Sequence, residues 1–307
     1  MKYLPFLNGQ YSVAPGLFPF SRTDQAPYNI FFHIDHNYKR YITNKEVCRR
    51  ENLKKYHPDF PVSKETLTPV TEFILSKMIS ENPDSFEAFE NSGSKGIYNL
   101  ITNEIIQWDT SSDKIRGDKY VSVLDALCSQ LQEDFAIWQL TGDENKMIAL
   151  HICAPNHWAA EDKIGRGFDA VHEPVPGMEK QRPHVQKMLQ SVVTKGPFFR
   201  FAWGISTDDR LNHHPIVPHG MSAALWHGRK VGQHSPLFIR TEKQNLIGFP
   251  EINAFLFTIR TYFYPVDELN VLEKQKLIMA VETMSEDSLV YKGLVGKKDT
   301  LKRRILE

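Results

Sequence analysis

The sequence predicts an α+β fold: one antiparallel sheet of about five strands, with helices packed on one face and a helical arm added at the N-terminus. Two observations support this class. Segments with helical apolar spacing lie before the first strand and again between the second and third strands. The strands are predicted from runs rich in aromatic and β-branched residues, at 135–140, 147–153, 198–207, 237–246 and 254–264.

Residues 1–83 are predicted to form an irregular arm followed by two helices. The arm, 1–27, intersperses prolines and glycines with aromatic residues. The first helix, 38–57, is basic, and its charges form either a solvated face or a docking surface for an acidic partner. The second helix, 68–80, carries its apolar residues at helical spacing.

Residues 84–265 are predicted to form the core of the fold. Short strands within 84–120 carry a Gly-rich turn, and a helix at 121–133 leads into the first long strand. The Gly142–Asn145 segment is a hairpin signal between the first two long strands. A further helix is predicted near 183–194, before the three longest strands.

The C-terminal region, 266–307, is predicted as a helix over 266–284 followed by a short basic tail. At 307 residues the chain is long enough to bury a full core, so we expect 1–307 to form a single domain.

Composition excludes several classes of function. The formal net charge is zero, so no basic footprint for nucleic acid is present. No run of 18 apolar residues predicts a membrane span, and the N-terminus lacks the apolar core of a signal peptide. The three cysteines are far apart and match no zinc or iron–sulfur spacing, which favours a reducing cytoplasm. Nucleotide-binding and serine-hydrolase motifs are also absent.

The segment 153–177 holds the most constrained histidine of the chain. His172 stands just before a rigid corner, Pro174-Val175-Pro176-Gly177, so its direction is restricted. Such a histidine suits a metal or haem ligand, which must point along one bond. It equally suits a core histidine that satisfies buried carbonyl groups.

Alternation of side chains predicts which polar residues share a face of the sheet. If the last three strands are neighbours, one face is expected to carry two kinds of residue, arginines and potential substrate-binding groups. That face is either an ordinary solvent face with paired charges or the lining of a pocket for an anionic cofactor. The residues concerned are Arg200, Arg240, Glu242, Gln244, Arg260 and Tyr262.

A loop at 208–236 is rich in histidine and admits two interpretations. A metal site would need three or four ligands on rigid elements, whereas this loop contains several Gly and Pro residues. A solvated loop, or one that covers a pocket, is the alternative. The histidines are His213, His214, His219, His227 and His234.

Several ordered motifs resemble the haem-dependent oxidative N-demethylase-like family over residues 28–270. Two departures are visible, at Cys153–Trp158 and at Leu246–Pro250, where the family has a different aromatic segment and a more basic run. The matching motifs are His157-Trp158 with Lys163-Ile164-Gly165, Val171 to Gly177, Arg200-Phe201-Ala202-Trp203, Arg240 to Gln244, and Phe257 to Tyr262.

The resemblance implies a PAS-type sheet that holds haem b within 84–265. It implies O2-dependent oxidative N-demethylation of a small secondary amine, similar to dimethylamine, with release of formaldehyde. Electrons would come from a separate flavin or iron–sulfur reductase, because the chain has no fingerprint for such cofactors. A non-catalytic haem- or ligand-binding sensor and a homologue that has lost haem remain open.

The resemblance also implies roles for individual residues. His172 is the expected axial ligand of the iron. The other expected cofactor contacts are Arg200, Arg240, Trp203 and Lys163, and the expected catalytic residues are Glu242, Arg260 and Tyr262.

Overall fold

A computed structural model of the 307-residue chain describes residues 2–14, 16–20, 28–226, 231–232 and 234–307. The α-helices are α1 (Tyr38–Tyr56), α2 (Lys64–Glu81), α3 (Val123–Ser129), α4 (Phe168–His172), α5 (Met178–Gln181), α6 (Val185–Lys195), α7 (Ala223–Trp226), α8 (Val271–Glu282), α9 (Glu286–Lys292) and α10 (Lys298–Leu306). The strands are β1 (Phe18–Pro19), β2 (Phe86–Asn91), β3 (Ser94–Asn99), β4 (Glu104–Asp109), β5 (Asp134–Thr141), β6 (Glu144–His151), β7 (Phe198–Ser206), β8 (Phe238–Phe249) and β9 (Ala254–Pro265).

The main sheet is antiparallel and has six strands, in the spatial order β1-β7-β8-β9-β5-β6. The α+β class and the five predicted strands are therefore confirmed, with β5–β9 matching them in order. The sixth strand is the two-residue β1, by which the N-terminal arm pairs with Phe198 and Phe199. Strands β2, β3 and β4 form a separate antiparallel sheet within the described chain.

The two faces of the main sheet are distinguished by alternate residues of its strands. We call "front" the face that carries Ala136, Trp138 and Leu246, whose apolar cluster also contains Leu189 of α6. We call "back" the face that carries the intervening residues, such as Phe135 and Ile137, which pack with α2 and α3.

Helices cover both faces, so the prediction that they pack on one face is wrong. The front-face cluster includes Val192 and Val193 of α6, while the back-face cluster includes Val70 of α2 and Leu127 of α3. The reason is that α6, in the connection between β6 and β7, crosses the front face, whereas α1–α3 precede β5 and lie behind it. Strand β5 therefore carries buried apolar residues on both of its sides.

The C-terminal region is more helical than the sequence predicted. The predicted helix is present as α8, which begins with a capping box formed by Asn270 and Glu273. The predicted basic tail instead contains two helices, α9 and α10. Leu301 and Ile305 of α10 are fully buried against α8. None of the helices in the described part of the chain is long and apolar enough to cross a membrane.

Helix α6 touches the sheet most closely at Gly248 of β8. A Cβ atom at this position would lie 2.0 Å from the carbonyl oxygen of Val193 and 2.6 Å from that of Val192. Such distances are shorter than any real contact, and the obstructing atoms are backbone, so α6 and β8 depend on a glycine here.

We therefore expect Gly248→Ala to lower the free energy of unfolding by about 1–3 kcal/mol, because the methyl group must displace α6. Gly204→Ala is the matched control, since a Cβ atom on that neighbouring strand meets only the flexible Lys292 side chain at 3.7 Å. It should change stability by less than about 0.5 kcal/mol. Urea unfolding of both variants is the measurement, and equal effects would contradict the assignment.

Candidate functional site

His172 ends the short helix α4 and lies against the front face of the sheet. Its ring stacks on Phe168 with 4.0 Å between centroids and lies 6.5 Å from the indole of Trp138. The Nδ1 atom is 2.9 Å from the carbonyl oxygen of Phe168, so Nδ1 must carry the proton that it donates. This leaves the lone pair on Nε2, which forms no hydrogen bond with any residue in the described ranges.

The imidazole of His172 is held in its neutral form. Burial is the main cause and lowers its pKa to about 4. The positive charges of Arg200 and Lys163 lower the pKa further, while the Phe168 carbonyl partly opposes them. A neutral imidazole with a free Nε2 is the form in which histidine binds metal ions.

A carboxylate and an amide lie beside an arginine on the same face. Strand pairing places Arg200 opposite Gln244, and Ala202 opposite Glu242. The Gln244 amide donates to Glu242 Oε2 at 3.0 Å. Burial lowers the pKa of the Arg200 guanidinium, and the charge of Glu242 opposes that shift. The buried Nε of Arg200 has no hydrogen-bond partner among the described residues.

This part of the front face is half-open, whereas the back face of the same strands is closed. The front-face residues of β8 and β9 here, Glu242, Gln244, Phe257 and Ile259, are half-buried. Their neighbours that point backwards are buried. Small-molecule sites usually combine apolar walls with a few polar groups, and this face supplies both kinds of residue.

Arg240 is also on the front face, but its guanidinium is already engaged. One Nη atom donates to the carbonyl oxygen of Ala154 at 2.7 Å, and the other to that of Leu211 at 3.3 Å. Its Nε faces Glu242 Oε1 at 3.5 Å. Arg240 is thus a fixed cation beside Glu242, and it has less freedom to follow a ligand than Arg200.

The prediction that six polar residues share one face is wrong for Arg260 and Tyr262. Strand β9 pairs with β8 so that Arg260 lies opposite Lys243 and Tyr262 lies opposite Thr241. Directly paired residues point to the same side of a sheet, so both residues lie on the back face. Trp203 also points backwards, where it packs on Phe6.

Arg260 lies in a buried network of the back face. Its guanidinium is 2.9 Å from Asp35 Oδ2 and 3.9 Å from Glu133 Oε1, and it lies 3.9 Å above the ring of Tyr41. The same guanidinium lies 4.9 Å from the ring centroid of Tyr262. These contacts tie α1 to the sheet and account for the charge of Arg260 without a ligand.

Lys163 lies close enough to His172 for its charge to act on the imidazole. Its Nζ donates to the carbonyl oxygen of Val171 at 3.0 Å, which connects the 152–167 segment to α4. Burial lowers the pKa of this half-buried lysine. Lys163 therefore stands at the edge of the site, next to the corner that holds His172.

The histidine loop forms pairs with carboxylates and not a metal cluster. His213 Nε2 is 2.8 Å from Asp208, and His214 Nε2 is 3.1 Å from Glu161. No group of three or more metal-ligating side chains occurs within the described ranges. His219 and His234 are exposed, and His227 lies outside the described residues.

Sequence reasoning missed two aromatic residues of the site as contacts of His172. Phe168 supplies both the carbonyl acceptor and the stacking ring, and Trp138 forms the wall behind them. The spacing of Phe168 and His172, four residues apart, was the available signal, because such residues meet on a helix.

A separate cleft of about 380 Å³ lies behind the β5–β6 hairpin. It is lined by Phe60, Ser63, Gln139, Glu144 and Lys146 among others, and none of the predicted site residues borders it. It contains neither an arginine nor a histidine, so the front face provides the better chemistry for an anionic metal-containing cofactor.

The chain is an α+β protein whose half-open sheet face brings together a His172 Nε2 and an Arg200 Nε that lack partners in the described ranges, so this face is a candidate site for a cofactor. The family model described as "haem-dependent oxidative N-demethylase, alpha subunit-like" matches residues 23–302. This chain belongs to that family. The residues present also fit haem, since they offer one neutral histidine ligand and a guanidinium for a propionate.

Replacement of each arginine by methionine should separate the two faces. Arg260→Met should lower the free energy of unfolding by about 3–5 kcal/mol, because it leaves Asp35 and Glu133 buried without their cation. Arg200→Met should cost less than about 1 kcal/mol, because Glu242 keeps Arg240 and a buried unpaired Nε is removed. Guanidinium unfolding of both variants without added haem measures this, and a reversed order would contradict it.

Proposed function

We propose that the front face holds haem b and that the chain is the haem-binding subunit of an oxidative N-demethylase. The substrate would be a small secondary amine, and formaldehyde would be released. One observation carries the proposal: the free Nε2 of His172 and the unpartnered Arg200 lie on the same half-open face. The family match and the PAS-type sheet implied by the resemblance support it, since helices separate the second and third of the five long strands.

His172 would ligate the iron through Nε2. The Phe168 carbonyl fixes the tautomer and strengthens the ligand, as the outer partners of metal-bound histidines do. A thioether-linked haem is not expected, because the sequence lacks a CxxCH motif. Non-covalent haem b fits this site better.

Arg200 would bind a haem propionate, since its Nε needs a partner and a guanidinium fork matches a carboxylate. Lys163 would add positive charge at the edge of the site. We propose only an indirect contribution from Arg240, because its two Nη atoms already donate to carbonyl groups and its Nε lies in ion-pair range of Glu242, at 3.5 Å.

Glu242 would bind the substrate amine. Its carboxylate is held by Gln244 and Arg240 on a face whose walls are Phe257 and Ile259, so an alkylammonium ion would find a fixed anion and apolar contacts for its methyl groups. Bound haem supplies the iron that activates dioxygen for oxidation of the amine. Arg260 and Tyr262 would act from the back face, by keeping the strand that carries these walls in place.

The electrons would come from another protein. The reaction of a secondary amine with dioxygen to give a primary amine, formaldehyde and water requires two electrons and two protons, and the sequence shows no flavin, nicotinamide or iron–sulfur fingerprint. The family description of an alpha subunit supports partner subunits that carry a reductase function. The free, buried Cys48, Cys128 and Cys153 suit a reducing cytoplasm.

The first test is a spectrum of the chain expressed with ample haem, before and after reduction under carbon monoxide. We expect a Soret band that shifts on reduction. His172→Ala should lose the bound haem, because it removes the proposed ligand of the iron. His219→Ala, an exposed histidine of the 208–236 loop, is the control and should retain haem. A full haem complement in His172→Ala would overturn the ligand assignment, and no Soret band in the wild type would overturn the function.

The second test concerns Glu242. With dimethylamine as the probe and a supplied reductase, Glu242→Gln should lower kcat/KM about 100-fold or more, because the fixed anion for the ammonium ion is lost. Haem content should be unchanged. Formaldehyde release measures the effect, and turnover by the isolated chain with NADPH alone would contradict the requirement for a partner.

A further inference from the structure

We propose that Asp208 and His213 form a positioning pair that acts through Arg240 to hold the Glu242 carboxylate on the front face. The inference rests on the proposed function, because it concerns the group that would bind the amine. The sequence singled out His213 only as one member of the histidine-rich loop. In the structure His213 contacts both Asp208 and Arg240.

Four charged or polar groups follow one another from the surface to the front face. Asp208, which is partly exposed, lies 2.8 Å from His213 Nε2. The other ring nitrogen, Nδ1, lies 3.4 Å from an Nη atom of Arg240. Arg240 Nε in turn faces Glu242 Oε1 at 3.5 Å. His213 and Arg240 are both buried, so solvent does not screen these contacts strongly.

The contacts determine the tautomer of His213. A guanidinium only donates, so Nδ1 must accept from Arg240, and Nε2 must carry the proton that is donated to Asp208. The Asp208 carboxylate thus fixes the tautomer in which the imidazole can accept a hydrogen bond from the buried Arg240. Asp208 orients the ring, the ring orients the guanidinium, and the guanidinium orients Glu242.

The backbone around His213 is fixed independently of Arg240. The His213 amide donates to the carbonyl oxygen of Pro155, and the amide of His157 donates to the carbonyl oxygen of His213. The His157 ring stacks on that of His213, with 5.0 Å between centroids. Asn212 binds the hydroxyl of Tyr56 in α1. A side-chain substitution at His213 should therefore remove the contact with Arg240 without releasing the loop.

Protonation of His213 would break the pair. A second proton would occupy Nδ1, so the acceptor for Arg240 would disappear and two cations would face each other. Burial lowers the pKa of His213, with Arg240 and Arg210 acting in the same direction, while Asp208 raises it. The charged and titratable groups around the ring are Asp208 and Arg210 in the same loop, Arg240 from β8 and His157 from the 152–167 segment. Amine binding should accordingly weaken as the pH falls below the pKa of His213.

The variants separate positioning from simple structure. In haem-loaded protein titrated with dimethylamine and followed by the Soret band, His213→Phe should lower the affinity about tenfold, because it keeps a ring and removes the acceptor. His213→Asn should stay within about threefold of the wild type, because its amide oxygen replaces Nδ1. It should also lose the acidic limb of the pH profile, since asparagine does not titrate. Asp208→Asn should move that limb to lower pH, because Asp208 raises the pKa of His213. His219→Phe, in the exposed part of the loop, is the control.

Two results would overturn the proposal. One is an unchanged affinity in His213→Phe with its haem content intact. The other is an equal loss in His213→Phe and His213→Asn, which would indicate a merely structural role.

A second measurement does not depend on the proposed activity. The pKa of His213, read from its ring proton resonance in the chain without haem, should fall in Glu242→Gln because a negative charge behind Arg240 is removed. An identical pKa in both proteins would contradict the connection between the two residues. If the chain bound no haem but the pKa still shifted, the proposed function would fail while the positioning pair would stand.

Discussion

The pairing register between β8 and β9 is the constraint on which the site depends. Both strands carry alternating polar residues, and only the register decides which of them meet. In this chain Glu242 lies opposite Thr261, while Arg260 lies opposite Lys243. The register therefore places Arg200, Arg240 and Glu242 on the half-open front face. It places Arg260 and Lys243 on the closed back face.

The two sets differ in how their charges are compensated. On the back face Arg260 has Asp35 and Glu133 within ion-pairing distance and two tyrosine rings beside its guanidinium. On the front face Arg200 has no carboxylate within ion-pairing distance among the described residues, although the buried Nε of Arg200 and that of Arg260 both lack a hydrogen-bond partner there. A buried charge without a partner is costly, so the uncompensated charge of Arg200 on the half-open face supports the proposed contact with a propionate. The same chemical group thus has a structural role on the back face and a proposed binding role on the front face.

Periodicity within a strand and turn chemistry account for what the sequence predicted correctly. The five long strands and the glycine turn at Gly142 are present, because apolar alternation and the left-handed conformation of glycine are local signals. The grouping of Arg240 with Glu242 and Gln244 was also correct, since it needs only one strand. The relation of Arg260 and Tyr262 to that group depends on the pairing of two strands, which no local pattern encodes. The Phe168–His172 contact was likewise not predicted, because it depends on the short helix α4, and the proline-rich corner that follows gives no signal for a helix.

Four residues separate the paired Phe249 and Ala254 at the end of the β8–β9 hairpin, and this length has an evolutionary consequence. A slip of β9 against β8 by one residue would exchange the faces of every side chain in one strand relative to the other. Arg260 and Tyr262 would then move toward the front, and the walls Phe257 and Ile259 would move behind the sheet. Length changes in this connection that shift the pairing should therefore preserve the chemistry only in steps of two residues, so insertion and deletion patterns among descendants of a common ancestor would record this parity.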